Sequence, residues 1–264
     1  MRIYADYNQD FFSEKSLEAC YYAGLIAADG SVSDSGTISL CLKIEDKAHL
    51  EQFREKINGN PVREIEQFLS STGKYYGRAD FCMGSVKMTK DLDEIFNIKP
   101  RKSLTHEPPV GLSKEQNLAF IAGYIDGDGS YTYSLGKKEN RPLLNILGTK
   151  SFLTWILHEF GLNENEVKIH QRGAIHEVHI RGDKAIRSRD LYINMDLPFL
   201  KRKYKRWETL GLNMDILDGT KPNLKKTTHG TTRMYSYYKC RCDLCKKATS
   251  EYMKKRYQSM KGTL

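Results

Sequence analysis

The sequence predicts an α+β protein made of two similar tandem units, each with the element order αββαββα. Three observations lead to this prediction. The ten-residue segment 22–31 recurs in similar form at 121–130, patterns of helix and strand follow in the same order after each copy, and three prolines separate the halves. An internal repeat of this kind indicates two similar structural units in one polypeptide.

Each repeated segment predicts a helix that ends at an Asp-Gly pair. Residues 22–31 read YAGLIAADGS, and residues 121–130 read IAGYIDGDGS. Apolar residues recur at three- and four-residue intervals up to each pair, as on an amphipathic helix. Glycine tolerates the conformation that closes a helix, so we expect the helices to end at Gly30 and Gly129.

Small residues line one side of both predicted helices. They are Ala23, Gly24, Ala27 and Ala28 in the first copy and Ala122, Gly123 and Gly127 in the second. Small residues four apart allow two helix backbones to approach closely. If the two helices pack on each other, Asp29 and Asp128 lie side by side at the end of the pair.

Two other interpretations fit these segments less well. A membrane span needs about 20 apolar residues, and each run here is shorter and ends in an acid. An Asp that only accompanies a helix stop would lie where the helix macrodipole disfavours a carboxylate. Two acids at equivalent positions therefore favour a bound cation, and matched carboxylates in a basic chain are typical of metal-dependent phosphodiester hydrolysis.

The remaining elements follow in the same order in both halves. Alternating apolar residues predict strands, and helical periodicity predicts helices. In the first half we predict strands at 37–44, 62–69 and 75–82 and helices at 46–57 and 88–96. In the second half we predict strands at 131–135, 143–147, 167–171 and 175–181 and helices at 151–160, 184–192 and 199–210. Each sheet should have an apolar face under helices and a polar open face.

The open faces carry candidates for contacts with nucleic acid. These are Lys43, Arg63, Arg78, Asn145, Lys168, His170, Arg172, His179 and Arg181. A curved antiparallel ribbon fits the major groove, where Arg and Lys read guanine and Asn reads adenine. A solvated strand face explains any single one of these side chains equally well, so the prediction concerns the faces.

The composition favours an intracellular protein with a polyanionic partner. The net charge is +9 and the isoelectric point is near 9.1, which is typical of nucleic-acid binding, although charge alone fits a basic soluble protein without such a partner equally well. The first residues lack the apolar stretch of a secretory signal. Cys20, Cys41 and Cys82 stand among apolar residues and are predicted to be buried thiols, which suits a reducing compartment.

The repeated segments resemble the LAGLIDADG motif of homing endonucleases, and the double copy is similar to the single-chain, pseudo-dimeric branch of that family. The resemblance covers roughly residues 14–212. It implies two packed homing-endonuclease units in a monomer. It also implies Asp29 and Asp128 as the metal-binding acids, aided by the main-chain carbonyls of Ala28 and Gly127, with Mg²⁺ or Mn²⁺ as the metal.

The resemblance further implies basic and polar residues around each scissile phosphate. By similarity, Lys203 serves the second half and Lys102 the first, with an ordinary phosphate-contacting patch as the alternative. Asp46 and Thr149 hold the position of a polar residue that orders metal-bound water in the family.

One departure from the motif concerns its earlier acid. The first copy has Ala27 at that position, whereas the second keeps Asp126. In the family this acid is not the metal ligand, so the departure is compatible with catalysis.

The C-terminal part predicts a separate small module. With 264 residues in the chain, we place the first subdomain at 1–105, the second at 106–212, a linker at 213–228 and a basic module at 229–264. His229, Cys240, Cys242 and Cys245 form a Cys₃His set for a structural Zn²⁺, although their spacing is not that of a standard finger. Reduced cysteines on a basic helix are the alternative.

The leading functional hypothesis is a site-specific homing endonuclease that cuts double-stranded DNA. The resemblance implies a long asymmetric target, hydrolysis across the minor groove and short 3′ overhangs, from an intron-encoded or free-standing gene. The alternative is a catalytically silent binding protein on the same scaffold, either an intron RNA maturase or a transcription regulator. Retention of both Asp29 and Asp128 weighs against loss of catalysis, but a maturase can also keep both acids.

Overall fold

The computed structural model describes residues 7–69, 73–135, 140–208, 235 and 241–261. Residues 1–136 and 141–212 form one compact unit, and residues 137–140 and 213–264 are grouped as a second. None of the described helices is both long and apolar enough to cross a membrane.

The first half of the larger unit has the predicted order αββαββα, and it includes one strand for which the sequence indicates no residue range. The helices are α1 (Leu17–Asp29), α2 (Lys47–Ile57) and α3 (Val86–Phe96), and the strands are β1 (Gly30–Val32), β2 (Thr37–Lys43), β3 (Arg63–Leu69) and β4 (Lys74–Gly84). The strands form an antiparallel sheet in the order β1-β2-β4-β3. The strand without a predicted range is the short β1.

The second half repeats this arrangement. The helices are α4 (Lys114–Asp128), α5 (Lys150–Glu159), α6 (Asp183–Asp190) and α7 (Lys201–Glu208), and the strands are β5 (Ser130–Leu135), β6 (Asn140–Gly148), β7 (Ile169–Arg172) and β8 (Ile175–Arg181). The sheet order β5-β6-β8-β7 matches that of the first half. The predicted α+β fold with two such units is confirmed.

The chain begins both repeated helices with side-chain caps. The hydroxyl of Ser16 accepts a hydrogen bond from the Ala19 amide at the start of α1. At the start of α4, Ser113 and Gln116 form a capping box. These caps satisfy backbone donors that have no partner within the helix.

The core lies between the helices and the covered faces of both sheets. In the first half Phe53 of α2 is fully buried, and its ring stacks on that of Tyr22 with centroids 4.6 Å apart. In the second half Phe152 of α5 is fully buried and lies 4.6 Å from the ring of Tyr124. The same core cluster includes buried residues of α1 and α4, so the two repeated helices join the halves.

The described C-terminal residues form helix α8 (Asp243–Lys261). Two of the predicted zinc ligands, His229 and Cys240, lie outside the described residues. Cys242 is half-buried and Cys245 is buried at the start of α8. Within the described ranges, no group of three or more His, Cys, Asp or Glu side chains could hold a metal ion.

Candidate active site

The two repeated helices pack with their backbones nearly in contact. A Cβ atom added to Gly24 of α1 would lie 2.8 Å from the carbonyl carbon of Phe120, and one added to Gly123 of α4 would lie 2.8 Å from the carbonyl carbon of Tyr21. The reciprocal pattern reflects a pseudo-twofold relation between the helices. Only glycine permits this approach, as the small-residue pattern predicted.

This close packing brings the ends of the two helices together. A Cβ atom on Gly127 would lie 3.3 Å from the carboxyl carbon of Asp29. Asp29 therefore ends beside the α4 backbone that precedes Asp128. The predicted juxtaposition of the two motif acids is thus present in the structure.

The environment of the two acids raises their pKa values. Both residues are exposed, and the packed helix ends keep water from part of each carboxyl group. Desolvation, followed by the charge of Asp128, raises the pKa of Asp29 to about 6. Desolvation also raises the pKa of Asp128. A bound cation would favour the ionised form of both carboxyl groups.

The side chains of Lys203 and Lys102 extend from different halves to the ends of α4 and α1. The Lys203 ammonium donates hydrogen bonds to the carbonyls of Ile125 (3.2 Å), Gly127 (2.8 Å) and Gly129 (2.9 Å) at the end of α4. The Lys102 ammonium donates to the carbonyl of Gly30 (2.5 Å), just beyond α1. Burial lowers the pKa of both lysines, and the nearby acids oppose that effect.

The charges pair across the two halves. Lys203, from the second half, is the cation that most lowers the pKa of Asp29, from the first half. Lys102, from the first half, is the cation that most lowers the pKa of Asp128, from the second. We call these two groupings the Asp29–Lys203 centre and the Asp128–Lys102 centre. Each centre combines residues from both halves.

The two polar residues predicted to order water have other contacts. Asp46 is buried and its Oδ2 accepts from Nε of Arg202 at 2.8 Å, although its sequence distance from Arg202 is 156 residues. Thr149 caps α5, and its hydroxyl donates to the carbonyl of His106 at 2.6 Å. Thr149 also lines a cavity of about 160 Å³ next to Asp128. Their role in ordering water stays a prediction.

The open face of the first sheet carries three of the predicted nucleic-acid contacts. Lys43 of β2 lies directly opposite Arg78 of β4, and Arg63 of β3 lies opposite Asp80. Since residues opposite each other share a face, all three basic side chains point to the same side. An ion pair of 3.1 Å joins Arg78 to Asp80, so this face also has an acidic member.

The second sheet has an equivalent open face. Its predicted members within strands are Asn145 (opposite His179), Arg181 (opposite Leu143), His170 (opposite Glu177) and Arg172 (opposite Ile175). Lys168 precedes β7 and is exposed. Arg172 pairs with Glu177 at 3.0 Å. The register therefore gives both sheets a polar face opposite the helix-covered one.

Two cysteine predictions were wrong. Cys20 is buried as expected, whereas Cys41 and Cys82 are exposed. Both lie on the open face of the first sheet. Cys41 is two residues from Lys43 on β2, and Cys82 is four residues from Arg78 on β4, so each shares a face with its basic neighbour.

Comparison with solved structures identifies the fold. The LAGLIDADG meganuclease I-CpaMI bound to uncleaved DNA matches 75% of this chain and 90% of its own at 12% identity and a TM-score of 0.52. The LAGLIDADG homing endonuclease I-GzeII in complex with its DNA target matches 77% of this chain and 93% of its own at 14% identity and a TM-score of 0.51. This chain has the LAGLIDADG homing-endonuclease fold. No protein-family model and no curated protein matches the sequence.

The oxygen atoms around the LAGLIDADG helix ends fit a hard divalent cation. The approach of the Asp29 carboxyl group to Gly127, which a Cβ would obstruct, leaves a carboxylate next to a main-chain segment. Carboxylates and carbonyls with few protein ligands suit Mg²⁺. The carbonyl of Gly127 accepts from Lys203 here, so that ammonium lies where the resemblance implies a metal ligand.

Sequence reasoning gave no role to two residues at this site. Arg202 pairs with Asp46, and Asp126 is fully buried between α1 and the start of α7. An acid inside an otherwise apolar run was a signal for Asp126, although its partners could not be deduced. Nothing in the sequence distinguished Arg202 from the basic residues on either side of it.

Proposed function

We propose that this chain is a site-specific endonuclease that hydrolyses both strands of double-stranded DNA. The observation that carries the proposal is the pair of acid–lysine centres at the end of the α1–α4 pair. Two such centres in one chain match the two phosphodiester bonds of a double-strand break. The two solved structures compared above contain DNA, which supports DNA as the partner.

Residues of this chain would hold a divalent metal at each centre. Asp29 with the Gly127 carbonyl, and Asp128 with the Ala28 carbonyl, would be its ligands, with Mg²⁺ or Mn²⁺ as the ion. When bound, such a metal polarises a phosphate oxygen and makes a bound water more acidic. Ionisation of both Asp29 and Asp128 is therefore required.

The lysines would act on the phosphates directly. An ammonium next to a scissile phosphate stabilises the negative charge that develops in the transition state. Lys203 would serve the Asp29 centre and Lys102 the Asp128 centre. Hydrogen bonds to main-chain carbonyls already hold both ammonium groups in place.

The open faces of the two sheets would bind the two half-sites of a long target. The faces differ in sequence: Lys43 lies opposite Arg78 on the first, whereas Asn145 lies opposite His179 on the second. The target should therefore be asymmetric. We further propose that the protein acts as a monomer across the minor groove and leaves short 3′ overhangs.

The C-terminal module would extend the DNA contact. Lys246, Lys247 and Lys254 of α8 are exposed, as is Tyr252. A structural Zn²⁺ held by the predicted Cys₃His set would stabilise a module of this size. Metal analysis of the purified protein, with Cys242→Ser and Cys245→Ser as comparisons, tests this part.

The test of the enzyme is a cleavage selection. Purified protein with Mg²⁺ is incubated with a plasmid library, and double-strand breaks are mapped by sequencing. Breaks at one asymmetric sequence that Asp29→Asn and Asp128→Asn abolish would support the proposal. Asp93→Asn, which changes a half-exposed carboxylate on α3, is the matched control and should cut normally.

Two results would overturn the proposed endonuclease activity. Binding without breaks would favour an RNA maturase or a transcription regulator, which a binding selection with structured RNA would then distinguish. Breaks that persist in both acid variants would place the catalytic centre elsewhere.

A further inference from the structure

Asp126 is a buried acid with no place in the proposed chemistry. Its side chain is fully buried, and desolvation is the main cause that raises its pKa to about 7. Its Oδ1 atom meets no hydrogen-bond partner among the described residues. Burial of a carboxyl group with one unpartnered oxygen is destabilising. We therefore expect the hydrogen bonds that Asp126 does make to serve function rather than stability.

The Oδ2 atom of Asp126 joins three segments of the fold. It accepts the main-chain N–H of Leu200 at 2.9 Å and also the hydroxyl of Tyr21 from α1. Leu200 immediately precedes α7 and is buried. Asp126 thus connects the two repeated helices to the start of α7.

Leu200 in turn defines the first turn of α7. Its carbonyl accepts the N–H groups of Lys203 at 2.9 Å and Tyr204 at 2.8 Å. Lys203 lies one turn beyond the anchored residue, and its ammonium binds the carbonyls at the end of α4. The backbone position of Lys203 therefore depends on where Asp126 holds Leu200.

A second buried acid holds the same turn from the other half. Asp46, whose side chain is 5% exposed, pairs with Arg202 at 2.8 Å. Arg202 is the neighbour of Lys203 in the chain. The first turn of α7 is thus attached at Leu200 to the second half and at Arg202 to the first half.

The two centres differ in this respect. The first repeated helix has Ala27 at the position equivalent to Asp126, and alanine cannot accept a side-chain hydrogen bond. Lys102 instead lies in a short 3₁₀ turn, Lys102–Leu104, that follows Arg101 in a left-handed conformation with φ of 59°. An acid equivalent to Asp126 is therefore present for Lys203 only.

We propose that Asp126, through Leu200 and with Tyr21 as its second partner, is a positioning residue that fixes α7 and so keeps Lys203 at the Asp29–Lys203 centre. The inference rests on the proposed endonuclease function. Its consequence is strand-specific: loss of Asp126 impairs the cut made at the Asp29–Lys203 centre more than the cut made at the Asp128–Lys102 centre. A general loss of stability would slow both cuts alike.

The test measures cleavage of each strand separately. A target duplex labelled on one strand or the other is cut by wild type, Asp126→Ala, Asp126→Asn and Lys203→Met. Asp126→Ala copies the residue that the first half already has. We expect it to slow one strand roughly tenfold to a hundredfold relative to the other, as for a small misplacement of a catalytic group, and nicked duplex to accumulate.

The strand that Asp126→Ala slows must be the one that Lys203→Met slows. Asp126→Asn should show a smaller bias, since its amide oxygen can still accept from Leu200. Equal slowing of both strands, or a bias opposite to that of Lys203→Met, would overturn the inference.

Two further measurements decide the matter if Asp126→Ala fails to fold or wild type fails to cut. Tyr21→Phe removes only a hydroxyl and should give a weaker bias on the same strand. Hydrogen exchange of the α7 amides needs no cleavage: it should accelerate at Lys203 and Tyr204 in Asp126→Ala, which cannot accept from the Leu200 amide. Unchanged exchange at the amides of Lys203 and Tyr204 would refute the positioning role. A wild type that cuts neither strand would refute only the proposed endonuclease function.

Discussion

The approach of α1 to α4 makes Gly24→Ala a sharp test of the structure. An added Cβ would lie 2.8 Å from the carbonyl carbon of Phe120 and closer still to its oxygen, whereas ordinary contacts begin at 3.4 Å. The helices would have to separate by more than 0.6 Å, the difference between those two distances. The obstructing atoms belong to the backbone and cannot rotate away.

Two opposing effects set the size of the change. In a helix interior, alanine is favoured over glycine by about 1 kcal/mol. Overpacking of a well-packed interface costs about 1–3 kcal/mol and sometimes more, and a backbone obstruction belongs at the upper end. We expect a net loss of about 2 kcal/mol, which lowers the melting temperature by roughly 4–8 °C for a unit of this size.

Thermal unfolding followed by circular dichroism measures this effect. Gly84→Ala is the matched control, because a Cβ at Gly84 meets no atom within 4 Å, and it should leave the melting temperature unchanged or slightly raised. If Gly24→Ala proved as stable as Gly84→Ala, the added Cβ would meet no backbone clash. The close helix approach, and the alignment of Asp29 with Gly127 that depends on it, would then be wrong.

Three further predictions concern pH, helix capping and salt. Burial lowers the pKa of His49 to about 4, below the unfolded value, so its contribution to stability is complete above pH ~6.5 and is lost as pH falls towards ~4. Between pH ~7.5 and ~5, wild type should therefore lose about 2 kcal/mol more than His49→Gln in denaturant titrations. Ser113→Ala should cost about 1 kcal/mol at any pH, because it removes the N-cap of α4; no change in the urea midpoint would contradict the capping box. On the proposed function, Lys43→Ala should reduce the slope of log affinity for DNA against log salt by about 1, and Lys90→Ala on α3 should not.

The regular elements could be predicted because local periodicity determines them. The alternation of Ile38, Leu40 and Leu42 gave β2 to within a residue, and β8 was predicted at its observed bounds. The strand β1 has only three residues, too few for any periodicity. The wrong burial of Cys41 came from counting apolar neighbours, since strand alternation places it on the polar face with Lys43.

The site could be predicted only where the repeat supplied the positions. Asp29 and Asp128 follow from the two copies, and Lys102 and Lys203 from the family resemblance. The partner of Asp46 could not be found, because Arg202 is distant in sequence and lies among several basic residues. The contacts of Asp126 depend on how α7 returns to the helix pair, which is a property of tertiary structure alone.

The pairing of each acid with a lysine from the opposite half has a consequence for dissection of the chain. Neither half contains a whole centre, so separately expressed fragments 1–105 and 106–212 should each be inert. When mixed, they can regain cleavage only if α1 packs on α4. That contact brings Asp29 to Lys203 and Asp128 to Lys102 at the same time. Fragment complementation should therefore restore both cuts together, and strand breakage becomes a direct readout of whether the two halves have associated.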